Sequence, residues 1–271
     1  MVGRALCEFC EASGDTVFAY DRVALDISDS DAVREAVRLD KPDAVINCAA
    51  WTDVDGCELD VEHAFAVNAR GPENLALASR EVNAAFVTIS TDYVFDGTKK
   101  GFYTEEDQPH PISVYGRAKL EGEQRAKEAN PASIIVRSGF IFGRGGKNFL
   151  SRVIEWIRSD REIKAITDAY GTPTHARDLA RRLRELAQLN HPGIFHVVNS
   201  GEGASYAEFA REALRIANLE ERHVEEVLSE SLKRPAPRPQ NSRLRGLFSE
   251  KLGLSPLPDW RDALRKFAGE T

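Results

Sequence analysis

Along the first half of the chain, short apolar runs alternate with longer stretches in which apolar residues recur every three or four positions. "TVFAY" (16–20), "DAVINCAA" (43–50), "AAFVTIS" (84–90) and "SIIVRSG" (133–139) read as strands. The stretches at roughly 2–13, 29–39, 58–82 and 114–129 read as helices. The strands are apolar almost throughout, and each connection is long enough for a crossover. Such a pattern predicts an α/β fold whose parallel sheet is covered by helices on both faces. Beyond residue 140 the alternation loosens. "NFLSRVIEWIRS", "THARDLARRLRELAQL", "SYAEFAREALRIA" and the closing "PDWRDALRKFAG" predict helices, and "GIFHVV" a strand. Between them "KRPAPRPQNSRL" (233–244), proline-rich and basic, must be extended.

With 271 residues, 42% of them hydrophobic, the chain has enough apolar material for one large core or two modest ones. The formal net charge of −7 is spread along the whole length, which argues against a nucleic-acid or membrane footprint. No apolar run approaches the roughly 18 residues of a membrane span, and the N-terminus lacks a signal peptide's apolar stretch. A soluble cytoplasmic protein is the expectation. Of the four cysteines, Cys48 lies in an apolar run and reads as a core thiol. "CEFC" (Cys7, Cys10) resembles half of a metal site, but no second pair completes it, so no metal is expected.

In open α/β sheets ligands bind beyond the carboxyl ends of the strands. Two polar clusters belong there: "STDYVFDG" (Ser90 to Gly97), directly after a strand, and "SVYGRAKLEGE" (Ser113 to Glu123). On a helix, Tyr115 and Lys119 share a face. A free tyrosine is a sluggish acid at neutral pH, and a nearby ammonium moves its pKa toward the working range. Alone, the spacing usually marks a solvated helix face.

The two clusters occur together with "VINCAAWTDVDGCE", "DAYGTPTHARDLA", "RPQNSRL" and "PDW". Together these motifs resemble the extended short-chain dehydrogenase/reductases, and within them the dTDP-4-dehydrorhamnose reductase family, over nearly the whole chain. Tyr-x-x-x-Lys is generic to the superfamily; "STDYVFDG" with "GTPT" is more specific. The resemblance implies a Rossmann-type doubly wound domain over residues 1–138. A mainly substrate-binding part over 139–271 would follow, with some segments returning to the first domain. The implied reaction is NAD(P)H-dependent reduction of the C4 ketone of a nucleotide-linked deoxysugar, dTDP-4-dehydro-L-rhamnose first. The alternatives are another nucleotide-sugar ketoreductase or epimerase, or a non-catalytic binding subunit of the same fold. A homodimer is compatible with the resemblance.

Position by position, the resemblance makes Tyr115 the proton donor, Lys119 the holder of the nicotinamide ribose, and Thr91 the hydroxyl beside the carbonyl. Ala49, Ala50 and Thr52 would pass under the cofactor, with Asn68 steadying the site. Asp26 and Ile27 would flank the adenine. Asp21 suits the ribose of NAD, while the adjoining Arg22 suits the phosphate of NADP. The two argue in opposite directions; reductive biosynthesis favours NADPH over NADH. Tyr93, Phe140 and Asn148 would line the sugar pocket, and Arg238 would meet the diphosphate. Val94, Phe95 and Ala118 read as core. Many relatives carry tryptophan where Phe140 stands.

The family begins with a strand and a glycine-rich turn, whereas this sequence opens "MVGRALCEF", with Gly3 matching the last glycine of that turn. The first strand and most of the turn are missing. In the order 3-2-1-4-5-6 strand one lies between strands two and four, so two edges would lose their ladder. An upstream start, a fragment or a rearranged sheet would each account for the gap.

Overall fold

The computed structural model describes residues 1–159, 161–219 and 224–270. Helix α1 (Val2–Ala12) is followed by α2 (Ser30–Asp40), which starts where the Asp29 carboxylate accepts the N–H groups of Asp31 and Ala32. Strand β1 (Ala44–Asn47) leads to two short helices, α3 (Val54–Leu59) and α4 (Val61–Phe65). A π-helical turn (Ala66–Arg70) carries α4 into α5 (Gly71–Glu81). Next come β2 (Ala85–Thr91), α6 (Val114–Ala129), β3 (Ile134–Ser138) and β4 (Ile141–Phe142). Helix α7 (Phe149–Arg158) precedes β5 (Ile163–Ile166), β6 (Tyr170–Gly171) and β7 (Thr174–His175). Then follow α8 (Ala176–Leu189), β8 (Gly193–His196), β9 (Ala204–Ser205) and α9 (Tyr206–Ala217). Strand β10 (Val224–Val227), α10 (Phe248–Lys251) and α11 (Trp260–Glu270) complete the order.

The main sheet has the order β1-β2-β3-β8, parallel throughout, with Val87 opposite Ile134 and Ile134 opposite Gly193. Side chains alternate across it. Val87, Ile134 and Val136 pack with Leu6 of α1 and Leu179, Leu183 and Leu186 of α8. Phe86 and Ile135 pack on the other face with Val33 of α2, Leu75 of α5 and Ala126 of α6. A separate core, built wholly from residues after 139, joins Phe142 to α7, β5, α9 and α11 around Phe209, Trp260 and Phe267. Three small pairings serve that half: β5 with β10, β4 with β7, and β6 with β9. Residues 233–244 contain no helix and make β-type pairings as single bridges, Tyr103 with Leu244 and Tyr170 with Asn241.

Two expectations fail. The run 16–20 is not a strand: residues 15–20 have no regular structure, and Phe18 and Tyr20 are 53% and 48% exposed. An apolar run becomes a strand only beside a partner, and among the described residues none lies next to β1, whose own residues are mostly half-buried. The helix read over 58–82 is broken. At Asp60 the backbone leaves the helical region (φ −135°, ψ 81°), and its carboxylate starts α4 by accepting the His63 N–H at 3.0 Å. No helix among the described residues is long and apolar enough to cross a membrane.

Candidate active site

The carboxyl end of β2 runs straight into a 3₁₀ turn, Asp92–Val94, capped by the Thr91 hydroxyl, which accepts the Tyr93 N–H at 3.2 Å. Helix α6 starts against this turn. The Ser113 hydroxyl accepts the Gly116 N–H at 3.1 Å, and Val114 N–H donates to Glu58 of α3 at 2.7 Å. Gly116 permits the approach: a Cβ there would lie 2.3 Å from the Tyr93 carbonyl oxygen. The close crossing sets the buried Tyr115 against Thr91 and edge-on to the Tyr93 ring, with centroids 5.9 Å apart.

One turn along α6, Lys119 is also buried and donates to the Ile89 carbonyl at 2.7 Å. Beyond it Glu123 takes the Arg137 guanidinium on both oxygens, at 2.9 and 2.7 Å, and the Ser90 hydroxyl at 2.5 Å. A Cβ at Gly122 would sit 2.2 Å from the Asn68 carbonyl, so α6 packs directly on the π turn. In that turn Asn68 brackets the backbone of Trp51, accepting its N–H at 2.9 Å and donating to its carbonyl at 3.0 Å. Asn47 accepts the Ala49 N–H. The segment with Ala49, Ala50 and Thr52 is thereby tied down at the carboxyl end of β1, beside the Thr91–Tyr115–Lys119 group.

Burial dominates the electrostatics. It pushes the Tyr115 phenol above its ordinary value, against the Thr91 hydroxyl, which favours the phenolate. It pulls Lys119 down to about 8, with Glu123 opposing. The net shift of Tyr115 is upward, opposite to the lowering expected beside Lys119, because burial of the phenol dominates. A raised value still serves reduction, because the acid must carry its proton when the carbonyl arrives. Asp92 is pushed up to about 6 by burial, while the hydroxyls of Ser242 and Thr91 pull it down.

On the sugar side, Phe140 adopts φ 49°, which aims its ring at Tyr206, 4.6 Å between centroids, and above Gly171, where a Cβ would collide with it at 2.1 Å. Arg238 meets Asp55 of α3 in a bidentate pair at 3.0 and 2.9 Å. Asp55 thus already occupies the fork assigned to a diphosphate. Asn148 does not join the group: its side chain caps α7 by accepting the Ser151 N–H and donates to the Ile141 carbonyl.

The adenosine-side residues stand apart. Asp21 closes a turn by accepting the N–H groups of Val23 and Ala24, and Arg22 beside it is exposed. Asp26 accepts the Ser28 N–H and hydroxyl, and Ile27 is buried against α2 and α5. Gly3, near the start of α1, leaves room for Cys48, 3.6 Å from where its Cβ would be. No group of three or more His, Cys, Asp or Glu among the described residues is placed to hold a metal.

Tyr206, Ser242, Glu123 and Arg137 were not legible as site residues. Ser242 and Glu123 alone had a signal, since they lie within "RPQNSRL" and "SVYGRAKLEGE".

The whole chain, residues 1–271, matches the family described as the RmlD substrate binding domain. It is 39% identical over 268 residues to a dTDP-4-dehydrorhamnose reductase of Mycolicibacterium smegmatis, covering 98% of this chain and 81% of that protein. A dTDP-4-keto-6-deoxy-D-glucose reductase of Streptomyces niveus is 33% identical, with 97% of this chain and 92% of that protein covered. The crystal structure of dTDP-4-dehydrorhamnose reductase from Bacillus anthracis in complex with NADP superposes with a TM-score of 0.94. That structure is 34% identical, with 100% of this chain and 95% of that one covered.

Proposed function

The chain belongs to the dTDP-4-dehydrorhamnose reductase family, and from that premise we propose that it reduces the C4 ketone of a dTDP-linked deoxysugar with NADPH, with dTDP-4-dehydro-L-rhamnose as substrate. One observation carries the reading: Thr91, Tyr115 and Lys119 come together, all buried, at the carboxyl end of β2. The residues suit the cofactor. Ala49 and Ala50 put only methyl groups on the segment that Asn68 tethers, so a flat ring can lie across it. Lys119 keeps two N–H donors beyond the one given to Ile89. NADPH, when bound, supplies the hydride to C4.

Everything else falls to the chain. Tyr115 transfers its phenolic proton to the C4 oxygen, so the ketone gains one hydride and one proton and becomes the hydroxyl. Lys119 holds the ribose and stabilises the phenolate left behind. Arg22 meets the 2′-phosphate of NADPH, Asp21 being committed to its own turn. Tyr93, Phe140 and Tyr206 form an aromatic wall for the deoxysugar, and Arg238 exchanges Asp55 for the diphosphate. In this reading residues 1–138 carry the cofactor and 139–271 mainly the sugar. The Streptomyces niveus relative supports a second sugar, a dTDP-4-keto-6-deoxyglucose.

The test is oxidation of NADPH, followed by its absorbance, with each keto sugar. Tyr115→Phe should abolish turnover and leave NADPH binding nearly intact. Turnover that survives the change would remove Tyr115 as the donor. Equal rates with unrelated keto sugars would overturn the rhamnose assignment.

A further inference from the structure

A threonine hydroxyl has one proton and two lone pairs, and at Thr91 two of the three are committed. Its proton points to Asp92 Oδ1 at 3.0 Å, and one lone pair accepts the Tyr93 N–H at 3.2 Å. Only a lone pair is left toward the cleft. It cannot donate to a ketone oxygen, nor to the Tyr115 phenolate, which a Thr91 proton would favour.

The other oxygen of Asp92 makes a 2.5 Å contact with Ser242 Oγ. That hydroxyl has a second acceptor, the Tyr170 carbonyl at 3.3 Å. The chain of bonds can therefore run in either direction. With Asp92 ionised, Ser242 donates to it. With Asp92 protonated on Oδ2, the acid donates to Ser242, and Ser242 turns its own proton to Tyr170. Asp92 is sealed in place: it is 4% exposed, and a Cβ on Gly139 would lie 2.2 Å from its carboxyl carbon.

We infer that Asp92 is a positioning residue that turns the Thr91 hydroxyl: neutral Asp92 releases the Thr91 proton to the substrate's carbonyl oxygen, and ionised Asp92 withholds it. The inference rests on the ketoreductase reading of this site. Loss of the charge weakens the acceptor that competes for the Thr91 proton, because hydrogen bonds to ionised groups are about twice as strong as neutral ones. Burial places the acid's ionisation at about 6, close to working pH. The titratable groups that sense Asp92 are the phenols of Tyr93 and Tyr115, and Tyr206 from α9. Burial keeps all three protonated in this range, and Arg238 faces Tyr93 and Tyr206. A bound sugar and cofactor displace water from the cleft and favour the neutral, active form further.

The experiment is the pH profile of kcat for the full chain at saturating NADPH and keto sugar. Wild type should show a limb at about 6 or, with both ligands bound, somewhat above it, beyond which turnover falls. Asp92→Asn, whose amide donates to Ser242 as the neutral acid would, should lose that limb. Ser242→Ala removes a donor to the carboxylate, so it should move the limb to higher pH. A limb unchanged in both variants, or a uniform loss at every pH, would overturn the inference. A second readout needs no turnover: the carboxyl infrared band titrated between about pH 5 and 7. Thr91→Val should raise the ionisation of the band that Asp92→Asn deletes; a band indifferent to Thr91→Val refutes the coupling. An inactive wild type whose band does respond would overturn the ketoreductase reading and leave the Thr91–Asp92 switch standing.

Discussion

Replacing Arg137 by methionine would strip the site of the cation on which its floor is built. Arg137 and Glu123 are 2% and 3% exposed and meet through two bonds of 2.9 and 2.7 Å. The guanidinium also lies 5.3 Å from the centre of the Phe95 ring. Without it, Glu123 keeps one hydrogen bond, from the Ser90 hydroxyl, and the charge of Lys119 one turn away, in a place water does not reach. Breaking a buried pair on one side costs about 3–5 kcal/mol, and the lost ring contact adds about 0.5–2 kcal/mol. Set against a total of about 5–15 kcal/mol, that is a large fraction of the stability. At a urea slope of about 1–3 kcal/mol per molar, the denaturation midpoint should fall by at least about 1 M. The double variant Arg137→Met with Glu123→Met should regain most of the loss, because an apolar pair leaves no bare charge. A single variant that loses less than about 1 kcal/mol, or a double variant no better than the single, would refute the reasoning.

Three further outcomes follow from the same geometry. Glu123→Gln withdraws the charge that opposes burial at Lys119, so an alkaline limb expected near 8 for wild type should move to lower pH in kcat/KM profiles. An unmoved limb would separate the two residues. Arg238→Ala should raise KM for the nucleotide sugar by about tenfold or more, at about 1.5–3 kcal/mol for hydrogen bonds to a charged group, with kcat less affected. A drop in kcat alone would place Arg238 elsewhere in the cycle. Gly122→Ala forces a methyl group to within 2.2 Å of the Asn68 carbonyl, so it should cost about 1–3 kcal/mol in denaturation and weaken NADPH binding as the Trp51 segment shifts. Wild-type stability in that variant would mean the π turn yields freely.

Where an element is made locally, the chain announces it. Helix α6 matches its sequence pattern end for end, because the Ser113 cap and the helix-forming run that follows need no distant partner. Strands β2 and β3 are equally plain, being apolar runs buried on both faces. The run 16–20 has the same composition and fails, because a strand is a property of two segments and its neighbour is absent among the described residues. The small pairings of β4, β6, β7 and β9 are two residues long, below the length at which a period of two can be recognised.

The same distinction divides the site. Thr91, Tyr93, Tyr115 and Lys119 sit in two short motifs whose spacing is visible along the chain, and folding needs only to bring one helix start against one strand end. The groups that would tune them are joined across long separations, Asp92 to Ser242 and Asp55 to Arg238, or between neighbouring elements, Glu123 of α6 to Arg137 of β3. Nothing in a lone "NSR" or "VDG" says that its serine or aspartate will be buried beside a particular acid or base. The first two pairs form only when the proline-rich segment 233–244 is laid across the carboxyl end of the sheet, bringing Ser242 to the 3₁₀ turn and Arg238 to α3. That segment touches both the proton-handling group, through Asp92, and the proposed diphosphate fork, through Arg238. Its lie, rather than the identity of the Tyr115–Lys119 pair, therefore decides how acid-base tuning and substrate binding are linked in this protein.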